Sequence, residues 1–208
     1  MTDLFDMPGA ATRNLLPMDG IAVYHGPIFL PAEADRHMQA LLDKIRWLHD
    51  EALIYGKRIV TQRQVAWYAD NAYSYTYSGI SRTALPWSEE VLELKAQAEQ
   101  VSGDWFNSCL LNLYHDGSVG MGWHSDAERD LVKDGSIASL SFGAERVFKF
   151  RHRNDKQTVS INLEHGALLI MKGQTQSHWL HSLPRAAGIK TPRINLTFRQ
   201  HCMTMQPV

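Results

Sequence analysis

The chain has 208 residues, 44 % of them hydrophobic, enough to bury one full core and too few to make two domains the first expectation. Lys and Arg total 21 against 22 Asp and Glu, so the overall charge excludes a uniformly basic nucleic-acid coat and leaves anion binding to local clusters. Asp3 and Asp6 stand where a leader would be basic, and no segment is long and apolar enough to cross a membrane, which predicts a soluble cytoplasmic protein (nuclear in a eukaryote), monomeric and without a membrane partner.

In chain order, residues 1–20 mix Pro, Gly, Asp and Asn without periodicity and read as a loosely ordered lead-in to one domain over 21–208. From Pro31 to Leu48, Met38, Leu41, Leu42, Ile45 and Leu48 recur at helical spacing. Ile54-Tyr55-Gly56-Lys57 then reads as a hairpin tip, an aromatic ring beside a permissive glycine, with Arg58 and Arg63 placed to meet phosphates. Tyr73, Tyr75 and Tyr77 alternate and so share one face of an extended segment, as a stacking platform or as ordinary cross-strand packing. A second helix is predicted over Ser88–Ser102, with Ser88 as N-cap, Glu89 and Glu90 in its first turn, Gly103 as terminator, and Val91, Leu94, Ala98 and Val101 as its buried stripe.

After Gly103 the chain turns to short β-branched and aromatic runs, at 107–114, 137–142, 146–151, 157–163, 167–171 and 192–200. So many short strands predict a sandwich or jelly roll, with the helices bracing one face, an α+β fold. Cys109 and Cys202 lack the spacing of a zinc or redox motif and read as two unpaired, reduced thiols.

In Trp123-His124-Ser125-Asp126 an extended backbone points His124 and Asp126 the same way. Two histidines and a carboxylate on one face of an octahedral ion leave room for oxygen and a chelating co-substrate, the arrangement of iron(II) oxygenases. His181 is the choice for the second histidine, with His178 as its competitor. Residues 193–199 read Arg-Ile-Asn-Leu-Thr-Phe-Arg, so Arg193, Asn195, Thr197 and Arg199 share a face opposite Ile194, Leu196 and Phe198. Two arginines facing into a barrel call for an anion, and a dicarboxylate would satisfy both. Asn112 and Tyr114 can add hydrogen bonds. A basic stretch of Arg146, Lys149, Arg151, Arg153 and Lys156 could track a phosphate backbone or form a solvated strand face.

The ordered set Asn112-Leu113-Tyr114, His124-Ser125-Asp126, Ile137 to Gly143, His181 and Pro192 to Arg199 resembles the AlkB family of iron(II)- and 2-oxoglutarate-dependent dioxygenases, over roughly residues 50 to 200. The resemblance implies a double-stranded β-helix with nucleotide-recognition hairpins at about 50–80. It implies Fe(II) on His124, Asp126 and His181, 2-oxoglutarate among Asn112, Tyr114, Arg193, Asn195, Thr197 and Arg199 with O2 as the other co-substrate, and Arg193 on the distal carboxylate. Tyr75, Tyr77 and Glu128 then correspond to a damaged-base pocket. Tyr55 stands where the duplex-repair member carries an intercalating phenylalanine, whereas Ala66-Trp67-Tyr68 and Phe106-Asn107-Ser108 look more like the single-strand member, so strand preference stays open. The implied activity is oxidative demethylation of 1-methyladenine and 3-methylcytosine in DNA, with RNA as a further substrate; the alternatives are a dioxygenase acting on a protein or small molecule and a noncatalytic nucleic-acid-binding module.

Overall fold

The computed structural model describes residues 13–54, 57–77 and 80–202, with the side chains of 50–59 and 74–82 outside that description. In chain order the elements are β1 (Ile21–Pro27), α1 (Pro31–Lys44), β2 (Leu48–Ile54), β3 (Lys57–Ala69), β4 (Ser74–Tyr77), β5 (Ile80–Thr83), α2 (Glu89–Ser102), β6 (Ser108–Tyr114), β7 (Met121–His124), β8 (Ile137–Gly143), β9 (Arg146–His152), β10 (Thr158–Leu163), β11 (Ala167–Lys172), the single turn α3 (Thr175–His178), β12 (Trp179–Leu183) and β13 (Arg193–Arg199). They form a seven-stranded sheet, β1-β11-β8-β13-β6-β3-β2, and a four-stranded sheet, β10-β9-β12-β7, with β4-β5 as a separate hairpin. The pairings in all three sheets are antiparallel, as an α+β jelly roll requires.

Strand alternation decides what each face of the large sheet does. Ile194, Leu196 and Phe198 of β13, Leu111 and Leu113 of β6, and Ala138, Leu140 and Phe142 of β8 pack outward against Leu41 of α1 and Val91, Leu94 and Ala98 of α2. Tyr114, Ile137, Leu169 and Met171 face the other way and meet Phe148, Phe150, Trp179 and Leu183 of the small sheet. The helices therefore close the outer face, and the inter-sheet space is left for polar side chains near β7.

Helix α2 forms as its sequence predicts: the Ser88 hydroxyl accepts from Val91 N–H at 3.4 Å, and Gly103 stops it at φ 71°. Helix α1 ends at Lys44, four residues short of the expected Leu48. Ile45 is already extended, and the Leu41 carbonyl, which accepts from Ile45 N–H, takes the Trp47 indole N–H as well at 3.2 Å, pinning the chain back as it leaves the helix. Leu48 instead opens β2 and is half exposed, while the buried stripe runs through Ala34, His37 and Leu41.

The lead-in also differs from expectation over residues 13–20. Asn14 Oδ1 accepts from both Leu16 N and Ala22 N, Leu16 is buried, and the Trp179 indole donates to Met18 O, so this stretch is tied to the barrel. Both cysteines are free, Cys109 buried and Cys202 exposed. Among the described residues no helix is long and apolar enough to cross a membrane.

Leu196 sits at the centre of the helix-backed face, whereas Leu48 does not reach it. Leu196→Ala should cost about 2–5 kcal/mol of unfolding free energy, and Leu48→Ala less than about 0.5 kcal/mol, both read from urea titrations. A large loss at Leu48 would restore it to the core.

Candidate functional site

His124 and His181 are direct partners across the β7–β12 pair, and Asp126 follows two residues beyond the end of β7. That register brings together ligand atoms lying within 4.8 Å of one another. His124 Nε2 and His181 Nε2 are 3.1 Å apart, and each is 3.9 Å from Asp126 Oδ1. Two nitrogens about 2.1 Å from one octahedral ion stand about 3 Å apart, so the donor set fits a single first-row metal.

The surroundings prepare each donor. His124 Nδ1 is 2.8 Å from the Gly122 carbonyl, which can only accept, so the proton sits on Nδ1 and Nε2 keeps its lone pair. Burial pushes His181 down to about 4, beyond what Asp126 restores, so that imidazole is neutral at pH 7. Burial works against the Asp126 carboxylate, but Arg199 and then the two imidazoles outweigh it and hold its pKa below the usual value. Asp126 is fixed from the backbone side as well, its N–H donating to Gln176 Oε1 at 2.9 Å.

The two inward arginines of β13 are not alike. Arg199 has protein carboxylates beside it, Glu128 at 3.3 Å and Asp126 at 3.9 Å. Arg193 is 2 % exposed, and it donates to the neutral oxygens of Ser141 at 2.8 Å and Asn195 at 2.7 Å. Its Nε has no hydrogen-bond partner among the described residues, and burial lowers its pKa to about 10. A buried guanidinium without a carboxylate is several kcal/mol short of compensation, roughly, and calls for an anion from outside the chain. The expected dicarboxylate therefore has one arginine in need of it rather than two.

Arg193 and the histidine cluster line one cavity, together with Asn112, Tyr114, Asn195 and Thr197. Asn195 is locked by Ser139 and Arg193 on its oxygen and donates to Thr197 Oγ, while Asn112 Oδ1 is buried without a partner among the described residues. Metal-type donors and an orphaned cation thus face a common space, which suits a metal-chelating carboxylate.

The model of the 2OG-Fe(II) oxygenase superfamily matches residues 20–199. The chain is 35 % identical to the DNA oxidative demethylase ALKBH2 of Mus musculus over 196 residues, 89 % of this chain and 82 % of that protein. This protein belongs to the AlkB family of 2OG-Fe(II) oxygenases. It is also 38 % identical to alpha-ketoglutarate-dependent dioxygenase alkB homolog 3 of Homo sapiens over 208 residues, 94 % of this chain and 72 % of the relative. A solved structure described as OsALKBH1 superposes with a TM-score of 0.59 at 20 % identity, covering 89 % of this chain and 98 % of that one, and shares the fold. As a member of that family this oxygenase uses Fe(II) and 2-oxoglutarate.

Other expected residues fall in several places. Tyr55 lies outside the described residues, as do the side chains of Arg58 on β3 and of Tyr75 and Tyr77 on β4. Arg63, expected at phosphates, lines the cavity with Nη1 3.2 Å from Met121 Sδ. Glu128 pairs through Oε1 with Arg199 and leaves Oε2 without a partner among the described residues. Arg146 does not join a phosphate track: it is buried and donates to the carbonyls of Asp116, Val119 and Pro184. Arg151 lies over the Trp123 ring at 4.3 Å, and Arg153 donates to Ser125 Oγ at 2.7 Å. His178 is helical rather than extended and belongs to a different cluster. Sequence reasoning missed Gln176, Ser139 and Ser141; the alternation Ser139-x-Ser141 beside β13 was the available signal, and Gln176 had none.

Tyr73 stacks on His201 with ring centroids 5.1 Å apart, and Trp67 lies 5.6 Å from the same imidazole. Burial first, and then Arg199, lower His201 to about 4. Its unfolded value is about 6.5, so between those values the unfolded chain alone takes up the proton. This contribution is complete above about pH 6.5 and is lost as pH falls toward 4. His201→Gln should flatten the acid side of the stability curve, measured by urea unfolding between those limits; an unchanged slope would show that His201 is not the group responsible.

Arg193→Met should leave the ligand-free protein at least as stable as wild type. It should also remove the stabilisation that 2-oxoglutarate with Mn(II) gives wild type, about 2.7 kcal/mol at a hundredfold excess over Kd, read as loss of the ligand-induced rise in Tm. A retained rise would move the anion site elsewhere.

Proposed function

We propose that this oxygenase demethylates alkylated bases such as 1-methyladenine and 3-methylcytosine in DNA, and also in RNA, releasing formaldehyde while 2-oxoglutarate becomes succinate and CO2. The observation that carries this reading is the buried Arg193, without a carboxylate of its own, in the same cavity as His124, Asp126 and His181. For the substrate class the support is the 35 % identity to proteins called DNA oxidative demethylases.

In this reading His124, Asp126 and His181 hold iron, and Asn112, Tyr114, Arg193, Asn195, Thr197 and Arg199 surround 2-oxoglutarate. Bound together with O2, those groups supply the oxidation that turns a base methyl into a hydroxymethyl, which then leaves as formaldehyde. The protein's own contribution is orientation. Arg193 takes the distal carboxylate in a cavity closed by Ser141 and Asn195. Arg199 stays with Asp126 and Glu128, holding both in place and keeping the Asp126 carboxylate ionised. Glu128 Oε2 faces a base edge that carries positive charge, and Tyr75 and Tyr77 stack on it, worth about 0.5–2 kcal/mol per cation–π contact.

Residues 21–208 act as one domain, with the hairpins at 50–80 holding the nucleotide. Tyr55 wedges the duplex, and Arg58 and Arg63 steady the strand as the base turns out, at a cost of a few kcal/mol, roughly.

The test is anaerobic loading with Fe(II) and 2-oxoglutarate, then air, with matched single- and double-stranded oligonucleotides carrying 1-methyladenine. Formaldehyde and a base of unmethylated mass should appear together, in step with succinate. Succinate without base repair would overturn the substrate and favour a protein or small molecule; no succinate at all would overturn the chemistry.

A further inference from the structure

A second group of metal-type side chains lies outside the oxygenase cavity. Asp19 precedes β1 and takes a left-handed backbone at φ 50°, His152 closes β9, and His178 closes α3. One ligand atom from each lies within 4.8 Å of the others. The three come from separate parts of the chain, so their convergence is made by the fold rather than by local sequence.

His152 is the informative member. It is 4 % exposed, and its Nδ1 is 2.9 Å from Asp155 Oδ1, which also accepts from Gln157 N–H. A carboxylate can only accept, so Nδ1 carries a proton and in the neutral ring Nε2 carries a lone pair. That buried Nε2 has no hydrogen-bond partner among the described residues, yet it faces Asp19 Oδ2 at 3.3 Å. In the neutral ring two acceptor atoms would face each other there, a repulsion relieved by a cation between them, either a proton on Nε2 or a metal ion, and the third ligand atom, from His178, favours the metal. Tetrahedral ligands at about 2.0–2.1 Å from zinc stand about 3.3 Å apart, the separation seen here.

We propose that Asp19, His152 and His178 bind a divalent transition-metal ion, with zinc as the probe, at a site separate from the oxygenase centre. Three protein ligands with an exposed carboxylate leave the fourth tetrahedral position to water. Asp155 orients His152 from behind, the carboxylate–histidine–metal arrangement that strengthens imidazole as a ligand.

The ion ties the segment before β1 to β9 and α3. Helix α3 also carries Gln176, which accepts from Asp126 N–H, and the His178 carbonyl accepts from Arg153 N–H while the Arg153 side chain holds Ser125. Occupancy at the second site therefore stiffens the turn beside Asp126 without touching the reacting groups.

The experiment uses the full chain stripped with a chelator, then dialysed against zinc and assayed for metal content, with calorimetric titration and Tm alongside. Wild type should hold two zinc ions per chain. Asp126→Ala should hold one, and the double variant Asp19→Asn, His178→Ala should also hold one while keeping the Tm of chelated wild type. Asp155→Asn, which leaves all three ligands in place, should weaken the second site by about 10- to 100-fold. A single zinc in wild type that Asp126→Ala abolishes, or a second zinc that survives the double variant, overturns the site. An Asp155→Asn protein with unchanged zinc affinity overturns the arrangement around His152.

Discussion

The guanidinium of Arg193 is buried at the middle of the large sheet with neutral oxygens as its protein acceptors, and much of the molecule serves to make that tolerable. Strand β13 can hold it because alternation puts Ile194, Leu196 and Phe198 on the opposite face, where α1 and α2 supply the apolar burial that anchors the strand. Its neighbours contribute small polar groups on the inner face, Ser139 and Ser141 from β8 and Asn112 from β6. The compensation that these groups leave undone is what makes the cavity select an anion.

The metal donors depend on the same two-sheet plan from the other side. Strand β12 lies between β9 and β7, so His181 meets His124 across one pairing while Trp179 meets His152 across the other. One short strand thus joins the oxygenase donors to the Asp19, His152 and His178 group. Its one-turn helix reaches Asp126 through Gln176.

The chemistry was largely legible in the sequence because it follows from period-two alternation: His124 with Asp126, and Arg193 through Arg199, are each spaced by that rule. Helix α2 was legible because Ser88 and Gly103 mark both its ends. The end of α1 was not, since Leu48 continues the helical spacing and only the indole of Trp47 folding back on Leu41 shows why the helix stops. The unequal surroundings of the two arginines were also hidden. Asp126 and Glu128 lie far from β13 in sequence, and no pattern along one strand reports which carboxylate a fold will bring to it. Arg146 reads as one of several surface cations, and nothing along its strand reports the three carbonyls, from two separate loops, that the fold brings around it.

The position of β13 has one more consequence. It is fourth of seven strands, paired on both sides, while β2 forms one edge of the sheet. Amides at a sheet centre open to exchange only with near-global unfolding, whereas those at an edge open locally at much smaller cost. Arg193, Asn195, Thr197 and Arg199 therefore stand on a strand that opens last, whereas β2 at the edge opens first. Changes at the edge can be absorbed locally while the cavity of Arg193 and the histidine cluster keeps its geometry, so the fold separates what can vary from what cannot.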